Sequence, residues 1–202
     1  MLPKKTTDHF KTLETPFYYY DLALLRQTLQ SCKQAADRYG FCVHYALKAN
    51  FNARILSTIQ QAGLGADCVS GNEVLKAIEI GFEPNKIVFA GVGKSDKEIA
   101  AALRHRIFCF NVESLQELHI IDELATLHHA KPSIALRINP NIAAGTHKNI
   151  TTGLAENKFG IHPADLPKCV AALKQSKNLQ FIGLHFHIGS QIIDMDVFKK
   201  LC

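Results

Sequence analysis

Residues Phe41–Asn50 read FCVHYALKAN. The stretch describes a buried strand with a single lysine at its far end. Alternation puts His44, Ala46 and Lys48 on one face and Val43, Tyr45 and Leu47 on the other. A lysine that closes an apolar strand loses hydration of its charge, which lowers its pKa and favours the neutral amine. A neutral amine is what a carbonyl compound needs to form a Schiff base. The plainer reading is a lysine that snorkels past the strand end into water.

Outward from this strand the chain repeats one unit: strand, turn, amphipathic helix, glycine or polar turn, next strand. Upstream, Met1–Thr15 reads as a loose polar arm and Pro16–Tyr20, PFYYY, as a short aromatic strand. Asp21 caps a helix with Leu22, Leu25, Leu29, Cys32 and Ala36 on its apolar side, and Gly40 ends it. Downstream, Asn52 caps a helix that closes at Gly63, and Gly65–Val69 is a strand. Ser70 and Glu73 form a capping box for the helix Gly71–Ile80. Lys86–Gly91 is a strand, and Ser95 with Glu98 boxes a helix that runs to about His105. Then follow a strand at Ile107–Asn111, a helix over Glu113–His128 and a strand at Ser133–Asn139. A polar loop, Pro140–Gly160, leads to a helix near Leu166–Lys174, the strand Phe181–Gly189 and a last helix from about Asp194.

Strands and helices that alternate over short connections mean βαβ units and a parallel sheet. The spacing suits either a (β/α) barrel or an open doubly-wound sheet. No G-x-G-x-x-G follows the first strand, which weakens a dinucleotide-binding reading. Six barrel-type strands are counted where a closed barrel has eight. The expectation is a TIM-type (β/α)8 barrel that stops early, with residues 1–20 as an arm and strand and 21–202 as the partial barrel.

The chain has 202 residues, 47% of them hydrophobic, which is enough to bury a sizeable core. A net charge of +5, with basic residues scattered, suits an anionic small ligand and argues against nucleic acid. Six cysteines include no C-x-x-C pair, so zinc and dithiol readings lack support and no metal is expected. Thiols in apolar surroundings suit a reducing cytosol. Neither a signal-peptide apolar region nor a membrane-length apolar run is found, so a cytoplasmic protein is expected.

The inner face of the strands carries the chemistry. In Ser133–Asn139, Ile134, Leu136 and Ile138 point to the helices, and Ala135, Arg137 and Asn139 point inward. In Phe181–Gly189, Ile182, Leu184, Phe186 and Ile188 point outward, and Gly183, His185, His187 and Gly189 inward. Lys48, Asp67, Arg137, His185 and His187 thus gather near the C-terminal ends of the strands, where barrel enzymes place their sites. A purely structural network is the competing reading, with Asp67 paired to Arg137 and both histidines satisfied in the core. Five ionisable groups at one end favour a polar ligand site, because burying them unpaired is costly.

These segments resemble the fold-type III pyridoxal-phosphate decarboxylases, whose barrel is of the alanine-racemase-like type. YALKAN (Tyr45–Asn50) resembles their cofactor-lysine segment, DCVSGNE (Asp67–Glu73) their next active-site strand, and FHIGSQ (Phe186–Gln191) the segment of their stacking histidine and phosphate-contacting serine. GTHKNITTGLAENKFGI (Gly145–Ile161) resembles the segment typical of the diaminopimelate-specific branch. The resemblance implies that Lys48 binds the aldehyde of pyridoxal 5'-phosphate and that His187 stacks on its ring. It implies that Ser190 and the backbone of Gly189 hold the phosphate, and that Asp67, Glu73 and Arg137 line the pocket. Glu73 also keeps its capping-box role, and Thr146 and His147 receive none. The implied reaction is decarboxylation of meso-2,6-diaminopimelate to L-lysine in a homodimer. A single-barrel pyridoxal-binding protein without activity, a pseudo-enzyme partner, and a decarboxylase of ornithine, arginine or carboxynorspermidine are the alternatives. The resemblance further implies a C-terminal β-domain, absent here, so the chain ending at Cys202 is expected to be an N-terminal portion with little or no activity alone.

Overall fold

A computed structural model of the chain describes residues 3–140, 159–190 and 192–202. Six strands alternate with helices: β1 (His44–Ala46), β2 (Gly65–Cys68), β3 (Ile87–Phe89), β4 (Cys109–Val112), β5 (Ser133–Arg137) and β6 (Gln180–His185). Helix α1 is Lys4–Phe10 and α2 is Leu22–Arg38. The helices after β1 to β6 are α3 (Ala53–Gln61), α4 (Gly71–Ile80), α5 (Asp96–His105), α6 (Leu115–Leu127), α7 (Leu166–Gln175) and α8 (Asp196–Leu201). All five strand pairings are parallel, and the order in the sheet is β1-β2-β3-β4-β5-β6. A doubly-wound sheet reverses direction at a switch point. Here every strand lies beside its predecessor, so the fold is the (β/α)-barrel type with six strands. Successive helices from α2 to α7 touch one another along the outside.

Local chemistry sets the element boundaries. Asp21 Oδ1 accepts from the amides of Ala23 (2.9 Å) and Leu24 (3.0 Å) and starts α2. The box at α5 is complete: Glu98 Oε2 accepts from the Ser95 amide at 2.9 Å and from its hydroxyl at 2.7 Å. Glu98 Oε1 also accepts from the Gly71 amide at 2.7 Å, so one carboxylate ties the starts of α4 and α5 together.

The core lies between sheet and helices. Ile87, Phe89, Phe110, Ile134 and Leu136 from the strands are fully buried against Leu56, Ile59, Ile99, Leu118 and Ile121 from the helices. Burying such side chains stabilises the fold by about 1.5–3 kcal/mol each before chain entropy is counted.

Several expected boundaries shift. The lysine strand ends at Ala46, and Leu47–Ala49 forms a 3-10 turn. The strands read as Lys86–Gly91, Ile107–Asn111, Ser133–Asn139 and Phe181–Gly189 are each shorter or displaced, because pairing stops where the chain leaves for the next helix. Pro16–Tyr20 pairs with no strand among the described residues. Its rings contact other rings instead: Phe17 and Tyr19 lie 5.3 and 5.0 Å from Phe10 of α1, so the arm is not loose but folds back on itself. In β6 a bulge opposite Ile134/Ala135 pairs Phe181 and Gly183 and leaves Ile182 extra. Ile182, Leu184 and Phe186, expected to pack outward, are 41%, 50% and 37% exposed because β6 is an edge. Thr146, His147 and most of Gly145–Ile161 lie outside the described residues.

Candidate functional site

Register defines the inner face. Ala46, Asp67, Val88 and Cys109 stand in one row across β1 to β4, Asn111, Ala135 and Gly183 in another, and Arg137 lies beside His185. A cavity of about 350 Å³ opens on this face, bordered by His44, Asp67, Cys109, Asn111 and His185. Burial pushes the Cys109 thiol up to about 11, so this inward sulfur stays protonated and is no nucleophile at neutral pH.

Lys48 sits in the 3-10 turn at the mouth of this face. It is exposed rather than buried: the strand that was to bury it ends two residues earlier, and fully buried Leu47 anchors the turn in its place. The amine nonetheless acts by charge on both Asp67 and His187. Burial raises the Asp67 carboxyl above the usual carboxylate range, with Lys48 and Arg137 opposing the rise. Burial, then Arg137 and Lys48, lower the His187 imidazole. His185, beside Arg137 in the sheet, is lowered to about 4, first by burial and next by Arg137. Arg137 thus acts by charge on Asp67, His185 and His187, and Lys48 on Asp67 and His187, at this end of the sheet.

Arg137 does not pair with Asp67. Its Nη1 lies 2.7 Å from Glu113 Oε1, in an ion pair whose side chains are 11% and 3% exposed. The Gly91 amide donates to the same oxygen at 2.9 Å. At Gly91 φ is +106°, and a Cβ there would stand 2.8 Å from the Val69 carbonyl oxygen, so glycine is required. Behind Glu113, its amide donates to Glu117 Oε2 at 3.0 Å. Lys94, 1% exposed, pairs with Glu117 Oε1 at 2.7 Å and donates to the Gly91 and Asn111 carbonyls at 2.8 and 2.9 Å. A structural network thus exists beneath the site, built on Glu113, Glu117 and Lys94. Sequence reasoning missed all three. Extending the alternation of β4 by one step, Cys109, Asn111, Glu113, would have put Glu113 on the inner face; it was counted into the following helix.

Glu73 Oε2 accepts from the Val69 amide at 2.7 Å while its own amide donates to Ser70 Oγ at 3.3 Å, so the capping role holds with the carboxylate one residue further back than a standard box. Glu73 also acts by charge on Asp67. Beyond β6 the chain carries His187 to Gly189, where φ is +142°, and to exposed Ser190.

The donor set fits a group with an aldehyde, an aromatic ring and a phosphate. An accessible amine, an uncharged imidazole and a glycine–serine turn meet one end of the sheet. Two buried polar atoms, Glu113 Oε2 and His185 Nδ1, have no hydrogen-bond partner among the described residues, so the inner face retains unspent polar capacity.

Fold and inner face together define a (β/α)-barrel domain of the pyridoxal-binding type. Residues 22–201 match the family described as "Pyridoxal-dependent decarboxylase, pyridoxal binding domain", and the chain belongs to that family, whose cofactor is pyridoxal 5'-phosphate. It is 55% identical over 96% of its length to a diaminopimelate decarboxylase of Bacteroides thetaiotaomicron, covering 51% of that protein. It is 46% identical over 93% of its length to one of Helicobacter pylori, covering 46% of it. A crystal structure of a diaminopimelate decarboxylase mutant from Helicobacter pylori, complexed with L-lysine, superposes with a TM-score of 0.90 at 42% identity, over 97% of this chain and 50% of that one. The enzyme from M. jannaschii, also with L-lysine, gives 0.84 at 33% identity, over 96% and 46%. The chain spans about half the length of the curated relatives it matches. Among the described residues, no helix is long and apolar enough to cross a membrane.

Proposed function

We propose that this chain supplies the cofactor-binding barrel of a diaminopimelate decarboxylase. The reaction releases one carboxylate of meso-2,6-diaminopimelate as CO2 and leaves L-lysine, in lysine biosynthesis. The observation that carries the reading is the meeting of an accessible lysine amine with Asp67, Arg137 and His187 at the C-terminal end of a parallel barrel sheet. Relatives named for this reaction, two of them complexed with L-lysine, supply the substrate class.

Bound pyridoxal phosphate supplies a sink for the electron pair that the departing carboxylate leaves behind. The rest is done by side chains. Lys48 would be the amine that holds the cofactor aldehyde, and its exposure keeps that amine accessible. His187, its imidazole lowered by partial burial and by its cationic neighbours Arg137 and Lys48, would hold the cofactor ring by stacking without bringing a charge to it. Gly189 and Ser190 offer a positive-φ turn and a hydroxyl to the phosphate. Asp67 and Arg137 set the field around the amine, Arg137 being fixed by Glu113. Glu73 lines the pocket while holding the Val69 amide. A homodimer and a cytosolic location belong to the same reading; the six free cysteines suit a reducing compartment.

The test is spectroscopic and chemical. This chain with pyridoxal phosphate should show a visible absorbance band, and Lys48→Ala should lose it; CO2 release from meso-diaminopimelate by this chain alone is expected to be little or none. An unchanged band in Lys48→Ala would falsify the assignment. An arginine decarboxylase of a Chlorella virus also superposes, at a TM-score of 0.65 and 27% identity, so arginine and ornithine are the competing substrates to assay. A band that meso-diaminopimelate, arginine and ornithine all leave unshifted would favour the non-enzymatic pyridoxal-binding protein.

A further inference from the structure

The repeated βα units provide an internal comparison at the opposite end of the barrel. Three successive helices end on a left-handed glycine: Gly40 (φ +70°) after α2, Gly63 (+84°) after α3 and Gly81 (+100°) after α4. At α4 the Gly81 amide donates to Ile78 and that of Phe82 to Ala77, both at 3.0 Å. Helices α5 and α6 close with the same pair of bonds. Arg106 donates to Leu103 (3.0 Å) and Ile107 to Ala102 (3.4 Å); His129 donates to Thr126 (3.2 Å) and Ala130 to Ala125 (2.8 Å). Yet their left-handed residues are Arg106 (φ +53°) and His129 (φ +49°), the two non-glycine residues with positive φ among those described. A side chain in this conformation is strained where glycine is not.

Both residues line one cavity of about 470 Å³ at the N-terminal ends of β4 and β5, away from Lys48. Arg104, His128 and Lys131 line it too, and no acidic residue does. None of these five side chains has an ion pair or hydrogen bond among the described residues. Basic groups near helix C-termini commonly offset the helix dipole. Arg104 lies in the last turn of α5 and offsets that dipole, and α6 has no basic residue in its own last turn, but the dipole does not account for the left-handed positions of Arg106 and His129, since α3 and α4 close on glycine there with no basic residue in their last turns. The strained positions are a separate feature, and they converge. Buried Ile107 and Phe110 form the floor, which strengthens the field of the charges above it.

We propose that this cavity binds a small anion carrying two or more phosphate groups, outside the cofactor site and independently of the decarboxylase reading. Guanidinium groups match phosphate oxygens with paired hydrogen bonds, and the volume falls within the range of small-ligand sites. The test titrates the chain with inorganic pyrophosphate at constant ionic strength, by calorimetry and by thermal melting. Saturable binding of one equivalent and a rising melting temperature are expected. Arg106→Gly should raise the ligand-free melting temperature by about 2–4 °C through release of backbone strain, yet weaken pyrophosphate at least tenfold. Lys131→Ala, which leaves the backbone conformation alone, should weaken it as well. ADP serves as a second probe: tighter binding than pyrophosphate identifies a nucleotide ligand, and equal or weaker binding an inorganic or small organic phosphate. Absence of saturable binding at millimolar pyrophosphate, or equal affinity in both variants and the wild type, overturns the proposal.

Discussion

At the scale of single residues, Glu113 concentrates more of the design than any other group. It receives Arg137 and the Gly91 amide on one oxygen, and the other has no hydrogen-bond partner among the described residues. A buried ion pair adds little net stability, but removing one partner leaves the other charge uncompensated. Glu113→Ala is therefore expected to cost about 3–5 kcal/mol in urea unfolding, whereas the double change Glu113→Ala with Arg137→Met should recover much of the loss. His185 gives a pH signature. Its folded-state pKa, about 4, lies below the unfolded value of 6.5, so the unfolded chain takes up the proton first. Stability is complete above about pH 6.5 and falls as the pH drops toward 4, by about 3 kcal/mol for this one group. His185→Gln should flatten that part of the stability–pH curve, as read by denaturant midpoints; an unchanged slope would show that other groups cause it. The inward position of His185 was legible in the sequence because alternation survives at the β5–β6 pairing. Glu113 was not, because it lies at the join of strand and helix, where period two gives way to period 3.6.

At the scale of elements, caps and core separate cleanly. The capping box Ser95–Glu98 was readable from spacing alone, but the reach of Glu98 to Gly71 in the preceding unit was not, since nothing local encodes a contact between helices. Two effects can be told apart by mutation. Ser95→Ala should cost about 1 kcal/mol, the ordinary value of a cap. Glu98→Ala should cost about 2 kcal/mol, because it frees donors in two helices at once. Equal losses in thermal or chemical melts would mean that the contact with Gly71 adds nothing. Strand β6 illustrates the other limit. Counting alternate residues put Leu184 outside, and it stands opposite outward Leu136; the bulge at Ile182 shifts parity only upstream, setting Phe181 opposite outward Ile134. A bulge changes parity without leaving a mark in hydrophobic pattern.

At the scale of the whole molecule, strand order decides the architecture. The helix–strand rhythm permitted a barrel or a doubly-wound sheet, and the neighbour-by-neighbour pairing leaves only the barrel type. Asp67, Arg137 and His185 could be placed on one face in advance because they lie on strands, whereas Lys48 and His187 lie just past strand ends, where alternation no longer holds. The exposure of Lys48 could not be read in advance, since an apolar run does not announce where a strand yields to a turn. The sheet also has a second edge at β6, with Phe181, Ile182 and Leu184 between 41% and 50% exposed. Such an edge is a template for pairing with another chain. The chain is expected to self-associate as its concentration rises, and Leu184→Lys to reduce this in light scattering; if the variant associates equally, the edge is not the contact.

Because each strand bonds only to the one before and the one after, assembly can proceed vectorially. Every newly synthesised βα unit docks onto a finished neighbour and needs nothing that the ribosome has yet to make. The same linear connectivity predicts graded opening in the native state. Amides in β3 and β4 should exchange with deuterium slowest, and protection should decline toward β1 on one side and β6 on the other, as in a row of stacked coins released from its ends.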